Sequence, residues 1–347
     1  MSKVGPVVLG PNQSPRFYRG GARITAFREL PPPAPGDAYL PEDWVASTTA
    51  IFGTETESMS RLPDGTLLRE AISADPASYL GPGHTARYGA SPALLVKLLD
   101  AGERLPVHVH PDDAFAATHL ASAWGKTEAW IVVEAAPGSE VRLGFREEVP
   151  EEKLAQWVSD QDPAVHEALN PLTVHSGDAI LVPAGLPHSI GEGVFLVELQ
   201  EPTDFSILLE WERFALDGRA EGHLGLGFDL ALTCVDRSAW DASQIAALRG
   251  PAPCGPVSGV FPAAADTFFA AERIRPAHGT IAADPGFAVL IVLAGHGLLC
   301  SEHADDQPLS KGMTVLVPHG AGGTRIAGDC EVIRCLPPYG SRSMSPA

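Results

Sequence analysis

Residues 177–190 read GDAILVPAGLPHSI, and residues 312–326 read GMTVLVPHGAGGTRI. Both run Gly, five residues, Pro, one residue, Gly. An apolar run that ends in Pro-x-Gly predicts a short strand leading into a tight turn. Two copies of this unit predict a chain that uses one β-rich module twice. The copies differ at one place. His188 stands three residues after the second Gly of the first frame, where the second frame has Gly323. The first turn therefore delivers an imidazole, and the second delivers no side chain.

The rest of the chain supports a repeated β architecture. At 347 residues it exceeds a single compact core and suits two domains. From residue 94 the runs ALLVKLLDA, LPVHVH, EAWIVVEA, EVRLGF, AILVPA and VFLVELQ read as strands. A second strand-rich stretch follows residue 258, with TFFAAERI, GFAVLIVLAGHGLLC, MTVLVP and CEVIRC. The 35 glycines and 32 prolines, without a low-complexity tract, fit many short strands joined by tight turns. Helices are expected at 64–80, 111–123 and 150–170, the latter two with Pro at the front. The proline-rich LPPPAPGDAYLP of residues 30–41 reads as a surface loop. Four divisions follow: an N-terminal segment, 1–90, packing on the catalytic module; a metal-binding module, 91–215; a partly helical connector, 216–257; and a C-terminal module without metal, 258–347.

The net charge of −19 disfavours nucleic acid and anionic membranes as partners, since both call for a basic face. No stretch has the apolar length of a membrane span, and MSKVGPVVLGPNQ lacks a signal-peptide core. A soluble, cytoplasmic protein is expected. The five cysteines are odd in number and lack C-x-x-C spacing, so they read as small core residues.

His108 and His110 sit two apart in LPVHVHP, which on a strand places both rings on one face. Glu128 follows at the start of EAWIVVEA, and His188 comes from the PAGLPH turn. Three histidines and a carboxylate form a sensible shell for one divalent metal, with zinc favoured. An H-x-H pair alone is a weak signal, more readily read as two histidines on a half-exposed strand. The pair followed by a glutamate and by G-x5-P-x-G-x2-H is far more specific. His119 in the helical insert, and His84, His166, His175, His223, His278, His296, His303 and His319, lack paired spacing and read as loop or surface residues.

That combination closely resembles the two-part signature of the cupin superfamily, with the glutamate displaced by a helical insert. PVHVHPDDAFA, GKTEAW, PAGLPHSIGEG and ELQEPTD together resemble class I mannose-6-phosphate isomerases in their short bacterial form. RFYRGGARI is similar to the family's WGG-type segment, PEDWVAS to its E-x-W segment, and LLVKLLDA to the strand before the metal pair. The resemblance implies two cupin (jelly-roll β-barrel) modules, a mainly β fold with short helical inserts. It implies zinc held by His108, His110, Glu128 and His188; the first is often Gln in the family, and imidazole is at least as good a ligand. It implies interconversion of mannose 6-phosphate and fructose 6-phosphate through an enediol. Glu198 would match the proposed base, Lys126 and Lys97 the lysines facing the sugar, and Asp204 a family aspartate. The structural alternatives are a snorkelling Lys97 and a Glu198 that is merely paired. One mismatch stands out: the family's arginine position falls on Leu208, which cannot donate a charge-assisted hydrogen bond. Arg213, five residues on, reaches it only through a gap or a strand slip. Two alternatives therefore stay open: an isomerase of an unphosphorylated or modified sugar, and a non-catalytic, metal-bearing sugar-binding protein.

Overall fold

The computed structural model describes residues 4–31, 38–277 and 279–338. Residues 32–37, within the expected proline-rich loop, and His278 lie outside the described residues. The protein is mainly β, built from three antiparallel sheets.

A six-stranded sheet has the order Gln13–Ser14, Glu42–Val45, Leu95–Asp100, Val194–Gln200, Glu128–Ala135, Ala179–Val182. A five-stranded sheet has the order Ile207–Leu208, His108–Val109, His188–Ile190, Glu140–Phe145, Leu169–Thr173. Alternation explains how they pack. Leu99, Trp130, Val132, Ile180, Val182 and Leu196 point from the first sheet into a core shared with Val141, Leu143 and Ile190 of the second. The intervening residues Val96, Leu98, Ala129, Ile131, Leu181, Phe195, Val197 and Leu199 point the other way. There they meet Phe269, Val289, Ile291, Leu316 and Ile333 of the C-terminal module. The six-stranded sheet is thus covered on both faces, which is why VFLVELQ reads as an almost unbroken apolar run.

The C-terminal module is an eight-stranded sheet centred on Ala288–Ser301 and Thr324–Leu336. Both repeated frames behave alike: Ala179–Val182 and Thr314–Val317 are the strands that run into Pro183 and Pro318. The N-terminal segment contributes strands to two of the sheets. Val7–Leu9 pairs with Thr314–Val317, and Gln13–Ser14 pairs with Glu42–Val45, so it joins a sheet in each module.

Helices form where expected but shorter. The 64–80 segment divides into Leu68–Ala74 and Pro76–Leu80, because Asp75 precedes a proline and its side chain caps the second helix. The 111–123 insert is helical over Asp113–His119, capped by Asp112. The 150–170 insert breaks at Gln161, whose φ of 54° ends Glu151–Asp160, and its end becomes the strand Leu169–Thr173. Between residues 216 and 257 lie the short helices Gly218–Glu221, Phe228–Ala231 and Ala242–Ala247. No helix among the described residues is long and apolar enough to cross a membrane. Cys330 and Cys335 are buried, Cys234 and Cys300 half-buried, and Cys254 exposed, so the core reading fails for Cys254.

Candidate metal centre and its cavity

The two sheets bring the histidines together by register. His188 pairs with both His108 and Leu143, and His108 also pairs with Leu208. The strand ends at Val109, yet His110 keeps its ring on the same side, 5.0 Å centroid to centroid from His108. His108, His110 and His188 offer ligand atoms all within 4.8 Å of one another.

Each ring is oriented through its Nδ1. His108 Nδ1 meets the Pro106 carbonyl at 2.9 Å, His110 Nδ1 the Phe205 carbonyl at 2.7 Å, and His188 Nδ1 the Leu186 carbonyl at 2.8 Å. A carbonyl only accepts, so each Nδ1 carries the proton and each Nε2 presents a lone pair. Burial, then the neighbouring rings, hold His108 well below the usual imidazole range. Burial and the Lys126 ammonium bring His110 down to about 3. His108 and His110 are therefore neutral, the state in which imidazole ligates.

Glu128 completes the group. Its carboxylate lies 3.0 Å from His110 Nε2 and 3.4 Å from His188 Nε2, and accepts from Trp130 Nε1 at 3.0 Å. Burial opposes its ionisation, but the Lys126 ammonium outweighs burial and holds it well below the usual carboxylate range. His188 Nε2 is buried without a hydrogen bond. Three fixed nitrogen lone pairs beside an ionised carboxylate, one nitrogen orphaned, are a donor set that suits a divalent cation.

A narrow cavity of about 50 Å3 opens beside this cluster, lined by Lys97, Lys126, Glu198 and Asp204 among others. The strand register puts Glu198 directly between Lys97 and Trp130, and Trp44 next to Lys97. Lys97 Nζ lies 3.5 Å from Glu198 Oε1, 3.5 Å from Glu42 and 3.9 Å from Asp204. The lysine does not snorkel; it is 2% exposed. Burial and the Glu128 charge push Glu198 upward against the pull of Lys97 and Lys126. Lys126 precedes its strand, but its Nζ reaches Glu128 Oε2 at 2.6 Å and His110 Nε2 at 3.0 Å. All the expected site residues thus meet in one place.

Several wall residues were not expected. Arg16, Tyr18, Glu42 and Ser206 also line the cavity. Glu42 receives the Tyr18 hydroxyl and, at 2.7 Å, Trp44 Nε1. Its place in PEDWVAS, an acidic residue two before a buried tryptophan, was the available signal. Leu208 faces the cavity, whereas Arg213 is exposed and lies against the Phe214 ring. Among the other histidines, His119 and His175 are exposed, while His84 and His166 are half-buried within short helices.

The fold and the centre together define a mainly β protein with a histidine-rich site against its five-stranded sheet. No family model matches the chain. A stretch of 111 residues is 40% identical to the mannose-6-phosphate isomerase of Streptococcus mutans, covering 32% of this chain and 34% of that relative. That match spans about a third of the relative's length. The mannose-6-phosphate isomerase ManA of Bacillus subtilis is 27% identical over 252 residues, 69% of this chain and 73% of the relative. The crystal structure of the mannose 6-phosphate isomerase from Bacillus subtilis superposes with a TM-score of 0.75 at 22% identity, covering 96% of this chain and 99% of that one. A mannose 6-phosphate isomerase bound with zinc and yttrium gives 0.72 at 16% identity over 97% and 100% of the two chains. At these identities the structural likeness is one of fold.

Proposed function

We propose that this chain is a zinc-dependent aldose–ketose isomerase of carbohydrate metabolism that interconverts mannose 6-phosphate and fructose 6-phosphate. The observation that carries this reading is the convergence of three Nδ1-anchored histidines and Glu128 beside the buried Glu198–Lys97 pair. His108, His110, Glu128 and His188 would hold one zinc ion, which when bound supplies an electrophile for the sugar oxygens. Glu198 Oε1 makes no hydrogen bond and takes the proton from the carbon beside the carbonyl, giving an enediol. An upward-shifted carboxylate is the stronger base for that step. Lys97 holds Glu198 in place and charged, and Lys126 donates to sugar oxygens. Asp204 orients the cavity's cations. The relatives named above are mannose-6-phosphate isomerases, which supports the choice of substrate. Free cysteines suit a cytoplasmic location.

A second reading, an unphosphorylated sugar, rests on one observation: Arg16, Lys97 and Lys126 each already face a carboxylate. One experiment separates the two. Turnover of mannose 6-phosphate, abolished by chelator and restored by zinc, is expected; faster turnover of mannose selects the second reading. No exchange of the C2 proton in any hexose or hexose phosphate at full zinc occupancy overturns both, and leaves a metal-bearing sugar-binding protein.

A further inference from the structure

The cavity contains a guanidinium, and it arrives from the N-terminal segment, far along the chain from Leu208. Arg16 lies on the N-terminal segment, just after the strand Gln13–Ser14. Its Nη1 and Nη2 reach the two carboxylate oxygens of Asp204 at 3.2 and 3.3 Å, and its Nε lies 3.2 Å from Glu42 Oε1. Burial opposes the charge, but Asp204 and Glu42 hold the guanidinium protonated. A guanidinium has five N–H groups. The fork to Asp204 uses one on each Nη and leaves the second of each, on a side chain 14% exposed at the cavity. The cavity is narrow, about 50 Å3, so a sugar that reaches the histidines must touch its walls.

Leu208 belongs to the same wall, directly across from His108 on the neighbouring strand. Arg16 and Leu208 therefore line one space. Asp204 fixes the fork from the loop that leads to Leu208, so the guanidinium is preorganised and needs no reordering to donate.

We propose that Arg16 is the substrate-binding guanidinium of this site, holding sugar or sugar-phosphate oxygens in place of an arginine at position 208. The proposal deepens the isomerase reading and rests on it for the identity of the ligand. It is tested by calorimetric titration of zinc-loaded protein with mannose 6-phosphate and with mannose, alongside turnover. Arg16→Ala is expected to weaken binding of the better ligand at least about 10-fold, the loss of a charge-assisted hydrogen bond, with zinc content unchanged. Adding Leu208→Arg to that variant is expected to recover most of the affinity. Arg16→Lys keeps Glu42 and Asp204 paired if the alanine variant does not fold. It lacks the fork and is expected to bind at least about 5-fold more weakly. Affinity within about threefold of the parent for Arg16→Lys or for Arg16→Ala overturns the proposal, as does a folded, zinc-loaded double variant that binds no better than Arg16→Ala. A parent protein that binds sugar but does not turn it over sinks the isomerase reading and leaves the role of Arg16 to be read from binding. A parent that does neither overturns both.

Discussion

Lys97 and Glu198 face each other across adjacent strands, and their worth differs in kind. Lys97 is surrounded by Glu198, Glu42 and Asp204, with its Nζ 4.4 Å from the centre of the Trp44 ring. Burial lowers its pKa, but the three carboxylates outweigh burial and raise it, so it stays charged. Lys97→Met would leave those carboxylates without their shared cation. Breaking a buried pair from one side costs about 3–5 kcal/mol, and urea unfolding should show a loss of that order. Glu198→Gln keeps the shape and removes the proposed base. It should reduce C2-proton exchange by about 10²–10⁴-fold while zinc content stays at the parent value; exchange within about tenfold of the parent would remove Glu198 from the role. The sequence already pointed to Glu198, because a carboxylate inside VFLVELQ needs a partner or a task. It did not point to Arg16. Nothing in SPRFYRGG separates the half-buried Arg16 from the exposed Arg19 three residues on.

Elements are joined to the centre by groups outside it. Glu201, at the end of the strand Val194–Gln200, accepts the Thr127 N–H at 2.7 Å and lies beside Asp113, which opens the insert helix. Burial, and then the Asp113 carboxyl, push Glu201 up to about 8. Between the ordinary value of 4.5 and about 8, the folded chain keeps a proton that the unfolded chain has lost. Stability must therefore fall as pH rises through that window, by up to about 1.4 kcal/mol per unit. Glu201→Gln should flatten this fall. Thermal midpoints at pH 5 and pH 8 measure it, and an unchanged difference would show that Glu201 does not hold that proton. A backbone junction carries similar weight. A Cβ on Gly20 would meet the Asp100 carbonyl oxygen at 1.9 Å, so Gly20→Ala must shift the segment that delivers Arg16. It should lower the thermal midpoint and weaken sugar binding together. Helix boundaries were less legible than helix existence, because Asp75-Pro76 and the left-handed Gln161 break runs whose apolar spacing continues past them.

At the scale of the whole molecule, the repeated Gly-to-Pro frame carried the architecture, since both copies became a four-residue strand running into a proline, followed by a turn in the first and a 3-10 helix in the second. The absence of a histidine at Gly323 sets the second copy apart from the centre, although the sequence could not show how tightly the copies are fused. One core joins Val96, Phe195 and Val197 of the metal-side sheet to Phe269, Ile291 and Ile333 of the C-terminal sheet. The strand Val7–Leu9 stitches the N-terminal segment to that same C-terminal sheet. We propose that the six-stranded and eight-stranded sheets stay separate yet unfold as one unit. Phe269 offers the test. It is fully buried, and Phe269→Ala should cost about 3–5 kcal/mol. All six tryptophans lie between residues 44 and 240, so their fluorescence reports only on the part of the chain that does not contain the mutation. If the core is shared, the fluorescence transition of the variant falls in temperature together with the calorimetric one. A fluorescence midpoint that stays at the parent value, while calorimetry shows an earlier second transition, would mean that the modules fold separately and that the C-terminal sheet contributes nothing to the stability of the centre.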